Sequence, residues 1–262
     1  MPTTAERLNN APNTEPSNDK EPLEIREFSS LNDVAKNYIA TTNRAMEDAK
    51  KNRTDINAAL KEVDKLYIED NFVKEEAELC AILSNAKLFM EAEKRMQKIR
   101  DKLDSTNDQK KIKELKRELR KEKDSVIPFN HQVRDFLFEN GDFITPSEMK
   151  SLLAKMNKGL TGPFEKLING FGAEVAVFNF IKDMPGVIAR PATDLEDAKG
   201  VDIVITSPRR VELDVKSGGN QGDGMGNVNE LDIDRSDLEV ASFELTSVGK
   251  RKVRTLITTL LN

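Results

Sequence analysis

GVDIVITSPRRVELDVKS, residues 200–217, decides the fold. Val201, Ile203 and Ile205 recur at every second position, as do Val211, Leu213 and Val215. That period of two marks strands with one apolar face. Ser207, Pro208 and Arg209 supply a turn, and a three-residue connection there sets Asp202 opposite Asp214. Glu212 and Lys216 share the face of Asp214. Charged groups in otherwise apolar strands are costly unless they lie at an edge, are paired or hold a metal. The hairpin is therefore a candidate site as well as a candidate sheet.

Upstream, GFGAEVAVFNFIKDMPG (170–186) reads as a buried helix stopped by Pro185 and Gly186, GVIAR (186–190) as a short strand and ATDLEDAKG (192–200) as a polar connection. Downstream, SGGNQGDGMGN (217–227) reads as a Gly-rich loop and LEVASFELT (238–246) as a strand. VGKRKVRTLITTLL (248–261) reads as a helix with Lys250, Arg251, Lys252 and Arg254 at its start. Positive charge at a helix N-terminus opposes the dipole, so the cluster is a candidate phosphate contact.

The first part of the chain follows a helical period instead. Residues 1–28, rich in Asn, Pro, Thr, Glu and Ser, cannot offset the entropy of ordering and read as a disordered tail. Leu31, Val34, Tyr38 and Met46, then Ile56, Leu60, Val63 and Tyr67, predict two amphipathic helices. Ile82, Phe89, Met96 and Leu103 recur at intervals of seven, and Ile112, Leu115 and Leu119 follow the turn DSTND. The expected result is an antiparallel hairpin of residues 76–104 and 109–123, closed by Ile127 and Pro128. Heptads report packing, so this arm is expected to be structural and to join copies of the chain into a homo-oligomer. NHQVRDFLFENG (130–141) reads as a separate short helix, and Thr145-Pro146-Ser147-Glu148 opens another with a capping box. The expected class is α+β: a tail at 1–28, a helical arm domain at 29–158 and a small α/β domain at 159–262, divided near 158–163.

Composition narrows the chemistry. The 262 residues fit two domains at about 150 residues each. Lys and Arg number 41 against 46 Asp and Glu, a net charge of −5, so any nucleic-acid site must be local. With a single cysteine, Cys80, and a single histidine, His131, the chain can build neither an intramolecular disulfide nor a structural zinc site. Both residues read as ordinary packing or surface positions. The N-terminal stretch lacks the apolar core of a signal peptide, and no apolar run is long enough for a membrane span. A cytoplasmic or other reducing compartment is expected. The Gly-rich loop lacks a P-loop ending, and the acidic run at Asp232 and Asp234 lacks the glycine and closing glutamate of a calcium loop. Carboxylates, lysine and a hard cation remain, and a pair of carboxylates beside Lys216 suits Mg²⁺, which keeps waters and shares phosphate oxygens.

Glu174 in the helix, Asp202 in the first strand and Asp214-Val215-Lys216 in the second together resemble the PD-(D/E)xK, or restriction-endonuclease-like, nuclease superfamily over about residues 160–217. The resemblance implies Asp202 and Asp214 as metal ligands, Lys216 as the catalytic lysine and Glu174 as the helix acid, with Mg²⁺ or Mn²⁺ as cofactor. Glu212 is an additional acid that could replace Asp214 as ligand. The superfamily follows the lysine strand with a helix and a further strand, where this sequence has its Gly-rich loop. The implied activity is metal-dependent hydrolysis of phosphodiesters, of DNA before RNA. Two alternatives stand beside it: a non-catalytic assembly or nucleic-acid-binding protein that keeps the core and self-associates through the arm, and a toxin with a C-terminal nuclease.

Overall fold

The computed structural model describes residues 30–157, 162–217, 228–239 and 241–262. The expected tail, nearly all of the expected Gly-rich loop and most of the expected division at 158–163 lie outside them. Eight α-helices among the described residues are joined by a four-stranded mixed sheet toward the C-terminal end, an α+β architecture.

Helix α1 (Leu31–Asn52) starts where the Ser30 hydroxyl accepts the Asp33 N–H, and ends at Arg53, which takes a left-handed conformation. Such caps satisfy groups that the helix itself leaves unpaired. Helix α2 (Ile56–Asp64) runs into a π-helical turn at Lys65–Glu69. Helices α3 (Lys74–Asp104) and α4 (Gln109–Asn140) form the long pair that the heptads predict, with Phe89 and Met96 buried. The Phe89 ring stacks on Phe129 at 4.7 Å and lies 5.4 Å from Phe164. Arg95 closes the outer part of the pair with both oxygens of Glu122 at 3.0 Å.

The helix does not stop at Pro128. It continues through the proline to Asn140 and absorbs the short helix expected at 130–141. A proline inside a helix removes one N–H and costs about 3 kcal/mol. Here Val126, Phe129, Val133, Phe136 and Leu137 bury one continuous stripe, and burying large apolar side chains at about 1.5–3 kcal/mol each outweighs that cost. Helix α5 (Pro146–Met156) carries the expected capping box: Glu148 N–H donates to Thr145 Oγ1 at 3.1 Å, and Thr145 N–H to Glu148 Oε2 at 2.9 Å.

Helix α6 (Gly162–Lys182) lies where two cores meet. Phe164, Ile168 and Val175 belong to the core of α1–α5, while Ala173, Ala176, Val177 and Ile181 belong to the core under the sheet. The sheet has the order β1 (Ile188–Pro191), β2 (Ile203–Ser207), β3 (Val211–Ser217), β4 (Asn229–Ile233). The first three strands pair antiparallel, and β4 runs parallel to β3. A one-turn helix, α7 (Asp194–Asp197), occupies the expected polar connection, and α8 (Ser247–Leu261) packs on the sheet core through Val253 and Ile257.

The strand expected at 238–246 is not one. Leu238 and Leu245 make an isolated bridge, with Glu239 N–H donating to Glu244 at 2.9 Å. The reason is that its apolar residues serve different cores. Leu245 joins the sheet core, whereas Phe243 joins the helical core, close against Gly172, where an added Cβ would lie 3.3 Å from the ring. The fourth strand is instead NELDI, too short for its Leu231 and Ile233 alternation to stand out in the sequence.

Phe89 links α3, α4 and α6, so Phe89→Ala is expected to lower unfolding free energy by about 3–5 kcal/mol. Urea titration followed by far-UV circular dichroism measures this; a loss under about 1 kcal/mol would contradict the stacked core.

Candidate active site

The β2–β3 register pairs Ile203 with Leu213, Val204 with Glu212 and Ile205 with Val211, symmetric about Pro208 as the turn residues predict. Ile203, Ile205, Val211, Leu213 and Val215 all enter the sheet core, so Glu212, Asp214 and Lys216 alternate onto the opposite face. Asp202 stands just before β2, where regular pairing gives way to two bonds from the same residue. Its N–H donates to the Leu213 carbonyl at 2.8 Å, and its Oδ2 accepts the Val215 N–H at 2.6 Å. The second bond clamps the Asp202 carboxylate against β3 beside Asp214.

Electrostatics ties these groups together. Asp214 is 6% exposed, and its Oδ2 lies 2.6 Å from Lys216 Nζ. Burial pulls the Lys216 ammonium down, but the bond to Asp214 and the charges of Asp214, Asp202 and Glu230 hold it above the ordinary lysine range. Burial pushes Asp202 up to about 7 against the pull of the Val215 N–H, and the Asp214 and Asp197 charges add to the rise. Glu174, on α6, is 9% exposed, and its Oε2 has no hydrogen-bond partner. Burial foremost, then the charges of Asp202, Asp197 and Asp214, raise it well above the carboxylate range, while Arg134 opposes them. Three carboxylates and one lysine, expected from distant parts of the sequence, thus share one electrostatic environment.

Other expected residues are engaged elsewhere. Glu212 accepts from Arg210 Nη2 at 2.7 Å, and the same Arg210 nitrogen reaches Glu196 at 2.7 Å. Arg190 grips Glu196 with two bonds of 2.7 and 2.8 Å, and the arginine bonds with the Thr193 N–H hold that carboxyl far below its usual range. Glu212 therefore belongs to an ion-pair ladder across β1, α7 and β3. The basic cluster of α8 divides as well: Lys252 pairs with Asp237 at 3.1 Å and Asp234 at 3.6 Å, and Arg254 stands 5.4 Å from the centre of the Phe180 ring. Lys250 and Arg251 are exposed.

Some residues of the site were not singled out by the sequence. Glu230 on β4 pairs in register with Asp214, and Asp197 on α7 influences both Glu174 and Asp202. His131 is no plain surface position, since its Nε2 lies 3.0 Å from Asp197 and its Nδ1 3.2 Å from Asp194. Arg134, 4% exposed, meets the same two carboxylates. Their spacing on α4, i and i+3, matches that of Asp194 and Asp197 on α7; that pairing of spacings is the signal a sequence search could use. Cys80, by contrast, is plain core, with burial pushing its thiol up to about 12.

The donor set is hard oxygen, and Glu174 Oε2 is a buried acceptor with no partner, which suits a hard cation. As arranged, no three His, Cys, Asp or Glu side chains among the described residues converge on a single point. Mg²⁺ needs fewer, since it binds through one or two carboxylates and completes its shell with water and phosphate oxygens. Asp202 and Asp214 fit that role.

Asp202 binds its proton more tightly in the fold than in the unfolded chain, so the cation-free protein loses stability as pH rises from about 4 through about 7. Asp202→Asn is expected to melt several degrees above the wild-type chain near pH 8 in chelator, and to lose most of that advantage near pH 4, where Asp202 is protonated in the fold and about half protonated in the unfolded chain. Thermal melts at the two pH values check this; the same offset at both would contradict the assigned burial.

No protein-family profile matches the chain, and neither characterised proteins nor solved structures give a match.

Proposed function

We propose that the chain is a divalent-metal-dependent nuclease of the PD-(D/E)xK type, using Mg²⁺ or Mn²⁺ to hydrolyse phosphodiesters of DNA. The observation that carries this reading is the gathering of Glu174, Asp202, Asp214 and Lys216 from α6, the residue just before β2, and β3, with the Asp202 carboxyl bonded to the Val215 N–H and Lys216 to Asp214. The order of an acid-bearing helix, a hairpin with Asp202 and the Asp214-x-Lys216 strand supports it. So does β4, a further strand after the lysine strand, parallel to it.

Asp202 and Asp214 would hold the cation, with Glu174 behind them. When bound, the cation supplies a water of lowered pKa and offsets charge on the phosphodiester. The chain's own groups do the rest. The Val215 N–H fixes one oxygen of Asp202 and so holds that carboxyl in place. Lys216 Nζ, now on Asp214, is within reach to donate to a phosphate oxygen as negative charge builds on phosphorus. Lys250 and Arg251, exposed near the start of α8, are the residues proposed to meet the DNA backbone.

Supercoiled plasmid with Mg²⁺ or Mn²⁺ should be cleaved by the wild-type chain. Lys216→Ala should lower the rate by about a hundredfold or more with an unchanged circular dichroism spectrum. Plasmid left intact across the metal series would overturn the nuclease reading and favour a non-catalytic protein that kept the same core.

A further inference from the structure

The long helical pair is basic in an acidic chain. Between Lys94 and Lys123 thirteen Lys and Arg stand against six Asp and Glu, a surplus of seven positive charges, whereas the whole chain carries −5. The remaining residues therefore carry −12. The surplus lies on the distal part of α3 and α4, beyond the level at which Phe89 stacks on Phe129 and meets Phe164 of α6.

On α4 the charges are sorted by face. Leu115 is buried and Ile112 and Leu119 are half-buried, which marks the side turned to α3. At about 3.6 residues per turn, Lys110, Lys113, Arg117 and Arg120, spaced i, i+3, i+7 and i+10, form one exposed stripe on the far side. The acids Glu114, Glu118 and Glu122 share the flank between, where Glu122 holds Arg95. Like charges thus recur at i, i+4, as in Lys113 with Arg117, Arg117 with Lys121 and Glu114 with Glu118. That spacing of like charges destabilises a helix. The same holds for the exposed Lys94, Lys98 and Lys102 on α3. Among the described residues, no Lys or Arg of α4 from Lys110 to Lys123 is held in an ion pair, whereas Arg95 and Arg100 of α3 are. A helix that needed only to stay folded and solvated would place opposite signs at i, i+4.

We propose that the outer face of α4 from Lys110 to Arg120 grips the phosphate backbone of duplex DNA without regard to sequence. A polyanion is the occupant that the charge selects, because the arm of a second copy would bring the same positive surplus against it. The stripe runs about 15 Å at 1.5 Å per residue, and duplex DNA carries about one negative charge per 1.7 Å of its axis, so one helix face meets several phosphates at once. The choice of DNA among polyanions rests on the nuclease reading above. The arm is then a second grip, separate from Lys250 and Arg251, and it is joined rigidly to the body because α4 is one helix as far as Asn140.

Fluorescence anisotropy of a labelled duplex, titrated with the full chain in chelator over a series of salt concentrations, tests it. Replacing Lys113, Arg117 and Arg120 together by Gln removes three charges at exposed positions with a residue that favours helix, so the circular dichroism spectrum should not change. Binding at low salt should weaken at least about tenfold, and the slope of log Kobs against log salt should become shallower by about 0.9 for each lost contact, up to about 2.7 for the three. Arg117→Gln alone should give about a third of that change in slope. Gln at Arg44, Lys50 and Lys51, exposed cations of α1, removes the same charge and should leave affinity and slope nearly unaltered. An unaltered slope in the α4 variants overturns the proposal. An equal loss in the α1 variant also overturns it, because binding would then follow net charge alone. So does a wild-type chain that binds phosphatidylserine vesicles and not the duplex, which would make the arm a membrane contact. DNA held through the arm with plasmid left intact upholds this inference and sinks the nuclease reading, whereas plasmid cleavage with unaltered α4 variants sinks this inference alone.

Discussion

A buried carboxylate oxygen without a hydrogen-bond donor is the constraint on which the rest of the site depends. Glu174 Oε2 is such an atom, and burying an ionised carboxylate alone costs several kcal/mol or more. The surrounding charges do not meet that cost: burial and the charges of Asp202, Asp197 and Asp214 outweigh Arg134 and hold the Glu174 carboxyl well above the usual carboxylate range. Arg134, from α4, is the cation that opposes the rise, while Lys216, from β3, bonds to Asp214. In the proposed reading these carboxyl groups, gathered beside the apolar sheet, are what a divalent cation would bind.

The position of Glu174 follows from the double role of α6. One part of that helix is core for the long helices, and another part is core for the sheet. Glu174 lies between Ala173 of one core and Val175 of the other, at the junction where a polar side chain can be fully covered from two sides. Helix α4 reaches the same junction only because it does not end at Pro128. Had the proline broken the helix, His131 and Arg134 would have been on a separate segment, with no rigid lever from Phe129 and Val133 to set them against α7. A local cost in backbone hydrogen bonding is thus outweighed by burial, and the gain extends beyond stability to the placement of charge.

The hairpin was legible because it depends on local rules. Alternation at Ile203 and Ile205 and at Val211, Leu213 and Val215 sets the apolar face, and the turn residues set the register of β2 on β3; Val201, expected on that face, packs with Val204 and Ala192 instead, because the chain before β2 leaves the regular pleat. The heptads of α3 and the Thr145 capping box were legible for the same reason. What could not be read depends on contacts between remote segments. The stripe from Val126 to Leu137 that carries α4 past its proline is decided by packing on α3 and α6. Strand β4 pairs with β3 in parallel across intervening chain, so no turn announces it, and Phe243 leaves its expected strand for a space under Gly172. The clasp of His131 and Arg134 with Asp194 and Asp197 joins residues about 60 positions apart. Glu212 and Lys252 fitted the composition of a site, but ion pairing with Arg210 and with Asp237 commits them to the scaffold.

The central claim is that the carboxylates of α6, β2 and β3 form one cation site. Anomalous diffraction from crystals grown with Mn²⁺ tests it most directly, because the ion reports its own position. A peak is expected between the Asp202 and Asp214 carboxylates, with Lys216 turned away from the Asp214 oxygen it now contacts. Saturating Mn²⁺ with no peak there, or with a peak only at surface carboxylates such as those of the Glu196 and Glu212 ladder, would contradict it.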